Sequence, residues 1–406
     1  MPKHGGAVIH FPENDSITYL VGGMTISKRS RPPYDSLYCD FLNDISAELR
    51  LQKDSATFSD VMSFAYWCRK ANIHKLKTDF ENGKSRLGLG LVFHVTPSNV
   101  PVNFAFSYAF GLLSGNSNIV RVPSKPFPQI DLISSTINRL FELEKYTEIR
   151  DTTVFVRYEK NDKITGKFSK VCNARIIWGG DEAIRNIRKL PIPEQSVEIV
   201  FSDRSSFCTI NAPSVNALDE KGLRRLAEKF YNDTYLMDQN ACSSPHLIVW
   251  LGENKEVAKG RFWMAVSNIV EEKYQLEDIH AVDKYCILCR DAIELEEVKS
   301  VIRQNSNLYR IILDEIPSIM DQLRGKFGYF YEYDTEAIED IKHIVTNKYQ
   351  TLTYFGIEKK CLLEFVFDNH LPGIDRIVPI GNALDMSVVW DGYDIVGNLS
   401  RIIDVK

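Results

Sequence analysis

Leu87-Gly88-Leu89-Gly90-Leu91-Val92-Phe93-His94-Val95, then Thr96-Pro97-Ser98-Asn99-Val100-Pro101, then Val102-Asn103-Phe104-Ala105-Phe106-Ser107-Tyr108-Ala109-Phe110-Gly111-Leu112-Leu113, decides how this chain folds. The first segment is a near-continuous apolar run, as for a strand buried on both faces. The second is a turn whose two prolines each fix their own φ. The third is apolar on most sides and reads as a buried helix. A buried strand leading at once into a buried helix opens a βαβ series.

Working outward, the alternation continues. A short strand is expected from Asn118 to Val122, and helical spacing runs from Gln129 to Leu143 through Ile130, Ile133, Ile137, Leu140 and Phe141. Strands follow at 153–157, 174–178 and 197–201, with a helix from Glu182 to Lys189 between the last two. A second series begins near Ser206, where the domain boundary is placed. Asp219 is a cap for a helix with Leu223, Leu226, Ala227, Phe230 and Tyr231 on its core face. A polar turn, 238–245, leads into a strand from His246 to Leu251, and further strands are expected at 285–288, 310–313, 329–333 and 352–355. The first ~85 residues read as mixed and polar. Two α/β domains result, each with a sheet open to a ligand at its strand carboxyl ends.

Composition sets the outer bounds. The 406 residues are 44% hydrophobic, 25% charged and 11% aromatic, which excludes a disordered chain. The 49 basic and 54 acidic residues leave a net charge of −5, so no nucleic-acid partner is expected. Met1 to Gly6 leads into no apolar signal core, and Val100 to Leu113 is too short for a transmembrane segment. A cytoplasmic location with reduced thiols is expected, so each of the eight cysteines is core filler, metal ligand or nucleophile.

Cys242 lies in Asp238-Gln239-Asn240-Ala241-Cys242-Ser243-Ser244-Pro245, a small polar turn between two buried elements. It is an exposed nucleophile at a sheet end or an inert, half-buried thiol. Asn99 is the one long polar side chain of the Thr96–Pro101 turn, either an amide donor to an oxyanion or an Asx-turn or helix cap. Trp178-Gly179-Gly180-Asp181 places glycines at a strand end before a helix, where backbone N–H groups face a diphosphate or simply reverse the chain. Asp181 in the first turn opposes an anion and suits a cap. Cys286 and Cys289 fall in an expected apolar strand with thiols on opposite faces, which argues for core packing and against zinc. No metal site is expected. The chain has no HExxH, GxSxG or Walker A pattern.

As a set, and in order, these segments resemble the aldehyde dehydrogenase superfamily. Phe93 to Asn103 resembles its "TPWNxP"-type turn. Ser114-Gly115-Asn116 through Val122-Pro123-Ser124-Lys125 is similar to "AGN…KPSE", Ile177-Trp178-Gly179-Gly180 to "FTGS", and Gln239-Asn240-Ala241-Cys242 to the nucleophile segment. The C-terminal part from Phe327 through Thr351-Leu352-Thr353 to Asp375-Arg376-Ile377-Val378-Pro379-Ile380-Gly381 also matches. One branch resembles it more closely, the fatty acyl-CoA reductases of the bacterial bioluminescence type. The matching runs are His94 to Asn103, Asn240 to His246, and Asp375 to Gly381 with Val388-Val389-Trp390-Asp391-Gly392-Tyr393. The resemblance spans about residues 86–406.

It implies an aldehyde dehydrogenase-like α/β fold of two Rossmann-like domains with a small oligomerisation element. Residues 1–205 would form the N-terminal region and NADP-binding domain, and 206–385 the catalytic domain. The tail, 386–406, would pack on the cofactor domain or on a partner subunit. The implied reaction takes acyl-CoA and NADPH to aldehyde and CoA through an acyl-cysteine. Cys242 matches the nucleophile, and Asn99 the oxyanion donor together with the Cys242 N–H. Thr96, Pro97, Arg121, Ser124, Lys125, Gly179 and Gly180 match the cofactor-binding positions. The implied partners are the acyl-CoA substrate and further copies of the chain in a homo-oligomer; the enzymatic alternative is reduction of an acyl group delivered by a partner acyl-protein synthetase in place of CoA. A catalytically silent scaffold subunit is the non-enzymatic alternative.

Three departures sharpen this. Glu198 lies near the place of the superfamily's general base, but the flanking "ELGG" glycines are missing. An acyl-enzyme that is reduced, not hydrolysed, needs no water-activating base, so the loss favours acyl-CoA reduction over aldehyde oxidation. Lys125 stands where "KPSE" ends in Glu, which favours the 2′-phosphate of NADPH; Arg121 is the alternative cation. Asp181 replaces the "FTGS" serine.

Overall fold

A computed structural model describes residues 7–406 apart from 12, 14, 15 and 82. The reading of the N-terminus rests on 1–6 and lies outside the described residues. The chain divides into two compact units, Met1–Ser202 with Ser387–Lys406, and Asp203–Met386.

The first unit is built on a six-stranded sheet. Its spatial order is Thr18–Val21, Thr153–Arg157, Ser117–Arg121, Leu91–Val95, Ala174–Trp178, Val197–Phe201. Only the Thr18–Val21 edge is antiparallel. Leu91–Val95 and Ala174–Trp178 are buried at every position, which is why they read as unbroken apolar runs. The helix Asn103–Leu113 is likewise buried on nearly all sides, and Pro128–Leu140 buries Ile130, Ile133, Ile137 and Leu140. Chain order runs outward from Leu91–Val95 to Ser117–Arg121 and Thr153–Arg157, then returns to Ala174–Trp178 on its other side. The carboxyl ends of Leu91–Val95 and Ala174–Trp178 therefore flank a topological switch point, where open α/β sheets form a ligand crevice.

Leu87 to Val95 is not one strand. Arg86–Gly88 pairs antiparallel with Ser400–Ile402, and only Leu91–Val95 enters the large sheet. Gly90 makes the break: its φ is +129°, and a Cβ there would lie 2.5 Å from Asn173 Oδ1. The described residues before Arg86 are richer in helix than their polarity suggests. They carry helices at Ser36–Leu51, Ser59–Trp67 and Lys70–Phe80. Asp35 caps the first, accepting the Leu37 N–H at 2.9 Å, and Phe41 on that helix stacks on Phe141.

The second unit holds a seven-stranded sheet in the order Val298–Asn305, Leu308–Leu313, Tyr329–Thr335, Leu247–Leu251, Ser205–Asn211, Tyr349–Phe355, Arg376–Pro379. All pairs are parallel except the first. Side chains alternate between two cores. Phe207, Val249 and Tyr331 enter one; Cys208, Ile248 and Phe330 enter the other, with the helices Glu220–Thr234 and Lys255–Lys273. Asp219 caps the first of these helices through the Gly222 N–H at 2.7 Å.

The strand expected at 285–288 is instead part of the helix Asp278–Glu294. Cys286 and Cys289 are exposed on it, so neither the strand geometry nor the core role stands. The element is unusual in burying Lys284 and Asp291 while Ile279, Val282 and Ile293 face outward. That inversion hides its helical period from a hydrophobicity reading. Among the described residues no helix is long and apolar enough to cross a membrane.

Candidate active site

In the first unit the Thr96–Pro101 turn leaves the end of Leu91–Val95 directly at the switch point. Thr96 is buried, and its hydroxyl donates to the Arg121 carbonyl at 2.6 Å, tying two strand ends together. Pro97 is half-buried, and Ser98 and Asn99 are exposed. The next helix has Val102 at its N-cap, so Asn99 does not cap it.

Beneath this turn runs a polar chain. Trp178 Nε1 donates to Ser107 Oγ at 3.0 Å, and Ser107 Oγ meets His94 Nδ1 at 2.8 Å. His94 Nε2 meets Asn118 Oδ1 at 3.0 Å, while Asn118 Nδ2 donates to the Asn116 carbonyl. Because Asn118 presents its oxygen, His94 carries its proton on Nε2, and Ser107 donates to Nδ1. Burial pushes the His94 pKa down to about 4, so the ring is neutral. Gly111 is required by this packing, since a Cβ there would lie 1.8 Å from Asn118 Oδ1. The chain locks three neighbouring strands and a helix together.

The remaining cofactor candidates differ in freedom. Lys125 is exposed, and Ser124 is half-buried. The Arg121 guanidinium lies 4.6 Å from the Tyr158 ring centroid and donates to the Tyr158 carbonyl, a largely structural engagement. The Gly179 N–H is spent on the Phe201 carbonyl at 3.1 Å. Gly180, not Asp181, occupies the N-cap of Asp181–Arg188, with no side-chain cap bond, and Asp181 and Glu182 fill the first turn. Glu198 accepts from Arg175 at 2.9 and 2.5 Å and from Arg188 at 2.7 Å. Arg175 is buried, so this carboxylate neutralises an interior charge.

In the second unit Cys242 sits on a loop between Glu220–Thr234 and Leu247–Leu251, so it precedes its strand. It therefore lies toward the amino ends of the parallel strands, not the carboxyl ends expected of a ligand site. The loop is held at many points. Gln239 is fully buried; its Oε1 accepts the Gly328 and Tyr329 N–H groups at 3.2 and 3.1 Å. Its Nε2 donates to the Pro245 and Tyr329 carbonyls at 3.2 and 3.0 Å, so all four amide valences are used. Ser206 Oγ donates to the Cys242 carbonyl at 2.7 Å, and Ser244 Oγ to the Asp233 carbonyl at 2.7 Å. Asp238 and Gln239 have φ of +51° and +59°, left-handed values that non-glycine residues keep only where surroundings enforce them. The side chain of Cys242 is half-buried within this frame.

The other cysteines sort by burial. It pushes Cys39 up to about 11 and Cys172 up to about 12, and raises Cys68 and Cys208 well above the ordinary thiol range. Cys286, Cys289 and Cys361 are exposed on helices. His246, four residues after Cys242, is buried; burial and the charge of Arg324 push its pKa down to about 3, making it a poor proton acceptor. Asp233 is also buried and pushed up to about 7, although it accepts the Gly381 and Ala383 N–H groups at 2.6 and 2.9 Å. Gln239, Asp233 and Ser206 were not singled out by sequence; their roles depend on contacts with residues far along the chain. Among the described residues no three His, Cys, Asp or Glu side chains gather as a metal site requires.

Comparison with known proteins adds a family. The family model for acyl-CoA reductase (LuxC) matches residues 72–404. No curated protein matches the chain. Among solved structures, a mutant of proline utilization A (PutA) from Bradyrhizobium japonicum is similar at a TM-score of 0.62 and 14% identity, over 92% of this chain but 43% of that one. The chain thus spans under half the length of that protein. Aldehyde dehydrogenase 21 from Physcomitrella patens, in complex with the reaction product succinate, gives a TM-score of 0.62 at 12% identity, over 90% of this chain and 85% of that one. Glyceraldehyde-3-phosphate dehydrogenase GapN from Methanocaldococcus jannaschii, complexed with NADP, gives 0.59 at 12% identity, over 91% and 88%. These similarities establish an aldehyde dehydrogenase-type α/β fold.

Proposed function

Since the chain belongs to the acyl-CoA reductase (LuxC) family, a family of oxidoreductases, we propose that it reduces a fatty acyl-CoA to the aldehyde with NADPH through an acyl intermediate on Cys242. The observation that carries the reading is the Cys242 loop. There a cysteine is reachable and is held in a frame of buried hydrogen bonds.

The chemistry follows from the groups in place. The Cys242 thiolate adds to the thioester carbonyl to give a tetrahedral oxyanion; the family resemblance assigns its stabilisation to the N–H of Cys242 and to the amide that Asn99 matches. Collapse breaks the C–S bond to CoA, whose thiolate takes up the proton that Cys242 lost. One thiolate replaces another of similar basicity, so no water need be activated. When bound, the reduced nicotinamide supplies the hydride. The acyl carbon then carries an oxyanion bonded to Cys242 sulfur; collapse expels the Cys242 thiolate and releases the aldehyde.

The first unit's residues suit a phosphorylated dinucleotide in two respects. Thr96 and Gly179 follow the two strands that flank the switch point, and the exposed Lys125 supplies a cation for a 2′-phosphate. Asp181 and Glu182 add opposing charge at the helix start, so the diphosphate is expected to depend on backbone N–H groups there. An acyl group delivered by a partner acyl-protein synthetase would enter the same Cys242 step.

Labelled acyl-CoA tests the proposal. Mass spectrometry of the protein after incubation without cofactor should show an acyl adduct on Cys242, absent from Cys242→Ala. If the wild-type protein forms no adduct and oxidises no NADPH with any acyl-CoA chain length, the proposal fails.

A further inference from the structure

Lys284 has no part in the chemistry above, yet it is fully buried on the helix Asp278–Glu294. Among the described residues no carboxylate pairs with it. Its Nζ donates to the Phe327 carbonyl at 2.8 Å and lies 4.5 Å from the Tyr309 ring centroid. A lysine enclosed in this way is unfavourable compared with a methionine of similar shape, unless its donor does something an apolar tip cannot.

What it holds is the turn that supports the Cys242 loop. Phe327 has a φ of +57°, left-handed for a bulky residue. Its N–H donates to the Asp238 carbonyl at 3.1 Å, and its ring stacks on His280 at 4.2 Å. The next two N–H groups, of Gly328 and Tyr329, both go to Gln239 Oε1. The turn at 327–329 thus grips Asp238 and Gln239, the two left-handed residues that set the path toward Cys242. Lys284 fixes the Phe327 peptide from behind.

We propose that Lys284 is a positioning residue for the nucleophile: through the Phe327 carbonyl it sets the Asp238–Cys242 loop in its reactive path. The proposal rests on Cys242 being the acyl-accepting thiol. Its energetic side is consistent. Burial, with Arg303 nearby, pushes the Lys284 pKa down to about 7, so the amine is kept inside at a cost that a purely packing residue would not carry.

The test is Lys284→Met, which keeps the stem and removes the donor. The expected result is a fall of about 10–100-fold in single-turnover acylation of Cys242, within the range for a misplaced catalytic group. The KM for acyl-CoA should change by less than about threefold, and the melting temperature should be unchanged or higher. Lys284→Gln, which retains an N–H donor on a shorter stem, should recover part of the rate; it also carries the test alone if Lys284→Met does not fold. Iodoacetamide labelling of Cys242 reads the loop independently of the acyl donor and should slow in Lys284→Met. Wild-type acylation and labelling rates in Lys284→Met would overturn the positioning role while leaving the Cys242 chemistry intact. A wild-type protein that takes up no acyl group would instead sink the Cys242 reading, and unchanged labelling in the variant would then overturn this one as well.

Discussion

Gln239→Leu replaces a buried amide by an apolar group of similar volume, and its cost follows from the four hydrogen bonds that Gln239 makes. The Gly328 and Tyr329 N–H groups would be left facing a methyl group. Each buried donor stranded in this way costs about 1–3 kcal/mol, and the two carbonyls lose a donor besides. The total is about 3–6 kcal/mol, a large share of the roughly 5–15 kcal/mol of a whole domain. For a unit of this size it corresponds to a drop of about 10–20 °C in melting temperature. Urea unfolding followed by tryptophan fluorescence is a suitable assay, because Trp250 and Trp263 are both buried in the same unit. Gln239→Glu is the informative control. Its carboxylate still accepts the two N–H groups but sets an oxygen against the Pro245 and Tyr329 carbonyls, so it should be destabilised at pH 7 and partly recover in acid, where the protonated carboxyl donates again. A loss below about 1 kcal/mol for Gln239→Leu would refute the reasoning, since it would mean that water or a local shift satisfies those groups.

Three further outcomes are expected. Asp233 holds its proton up to about pH 7 in the folded chain and only to its ordinary 3.8 when unfolded, so its contribution to stability is full below about pH 4 and is lost as pH rises through 7; the difference in urea midpoint between wild type and Asp233→Asn, measured from pH 4 to pH 8, should follow that curve. Asn99→Ala should leave the melting temperature unchanged, since the side chain is exposed, while turnover falls about 10²–10³-fold, the usual loss for one oxyanion donor. Lys125→Glu should shift the ratio of kcat/KM for NADPH over NADH toward NADH; an unchanged ratio removes Lys125 from the 2′-phosphate site.

The alternating architecture was legible because parallel strands buried on both faces announce themselves. Thr153–Arg157 and Ala174–Trp178, buried almost throughout, have the bounds their apolar runs suggest, and the half-buried edge strand Val197–Phe201 also lies where it is expected. The failures have particular causes. Gly88 and Gly90 look like tolerated interruptions of one strand, but the φ of Gly90 separates two strands that belong to different sheets. In Ser36–Leu51 the helical period is present at Tyr38, Phe41, Leu42, Ile45 and Leu49, but intervening charges dilute it. Tyr285-Cys286-Ile287-Leu288 reads as a strand because its apolar residues are contiguous; the helix it belongs to buries a lysine and an aspartate, which no hydrophobicity pattern anticipates. Cys242 stood out by the polarity of its turn. Gln239 and Lys284 did not, because a polar residue is legible as a structural clamp only once its distant partners, Gly328, Tyr329 and Phe327, are known.

The buried charges also bear on which acyl chemistry the site favours. A hydrolytic acyl-enzyme needs a base for water, and the two conspicuous candidates suit that role poorly, one being ion-paired and the other weakly basic. Glu198 is bound to Arg175 and Arg188, and His246 is held near pKa 3 by burial and by Arg324. On the proposed reading the acyl-Cys242 intermediate is therefore long-lived toward water and turns over by reduction. Glu198→Gln tests the point from the structural side. It weakens the neutralisation of buried Arg175, so stability should fall by about 3 kcal/mol or more, as for breaking a buried pair. Single-turnover acylation and reduction at a temperature where the variant is folded should persist at close to the wild-type rate. Loss of reduction with stability retained would make Glu198 a proton-transfer group, and the thiolate-exchange argument would lose its premise.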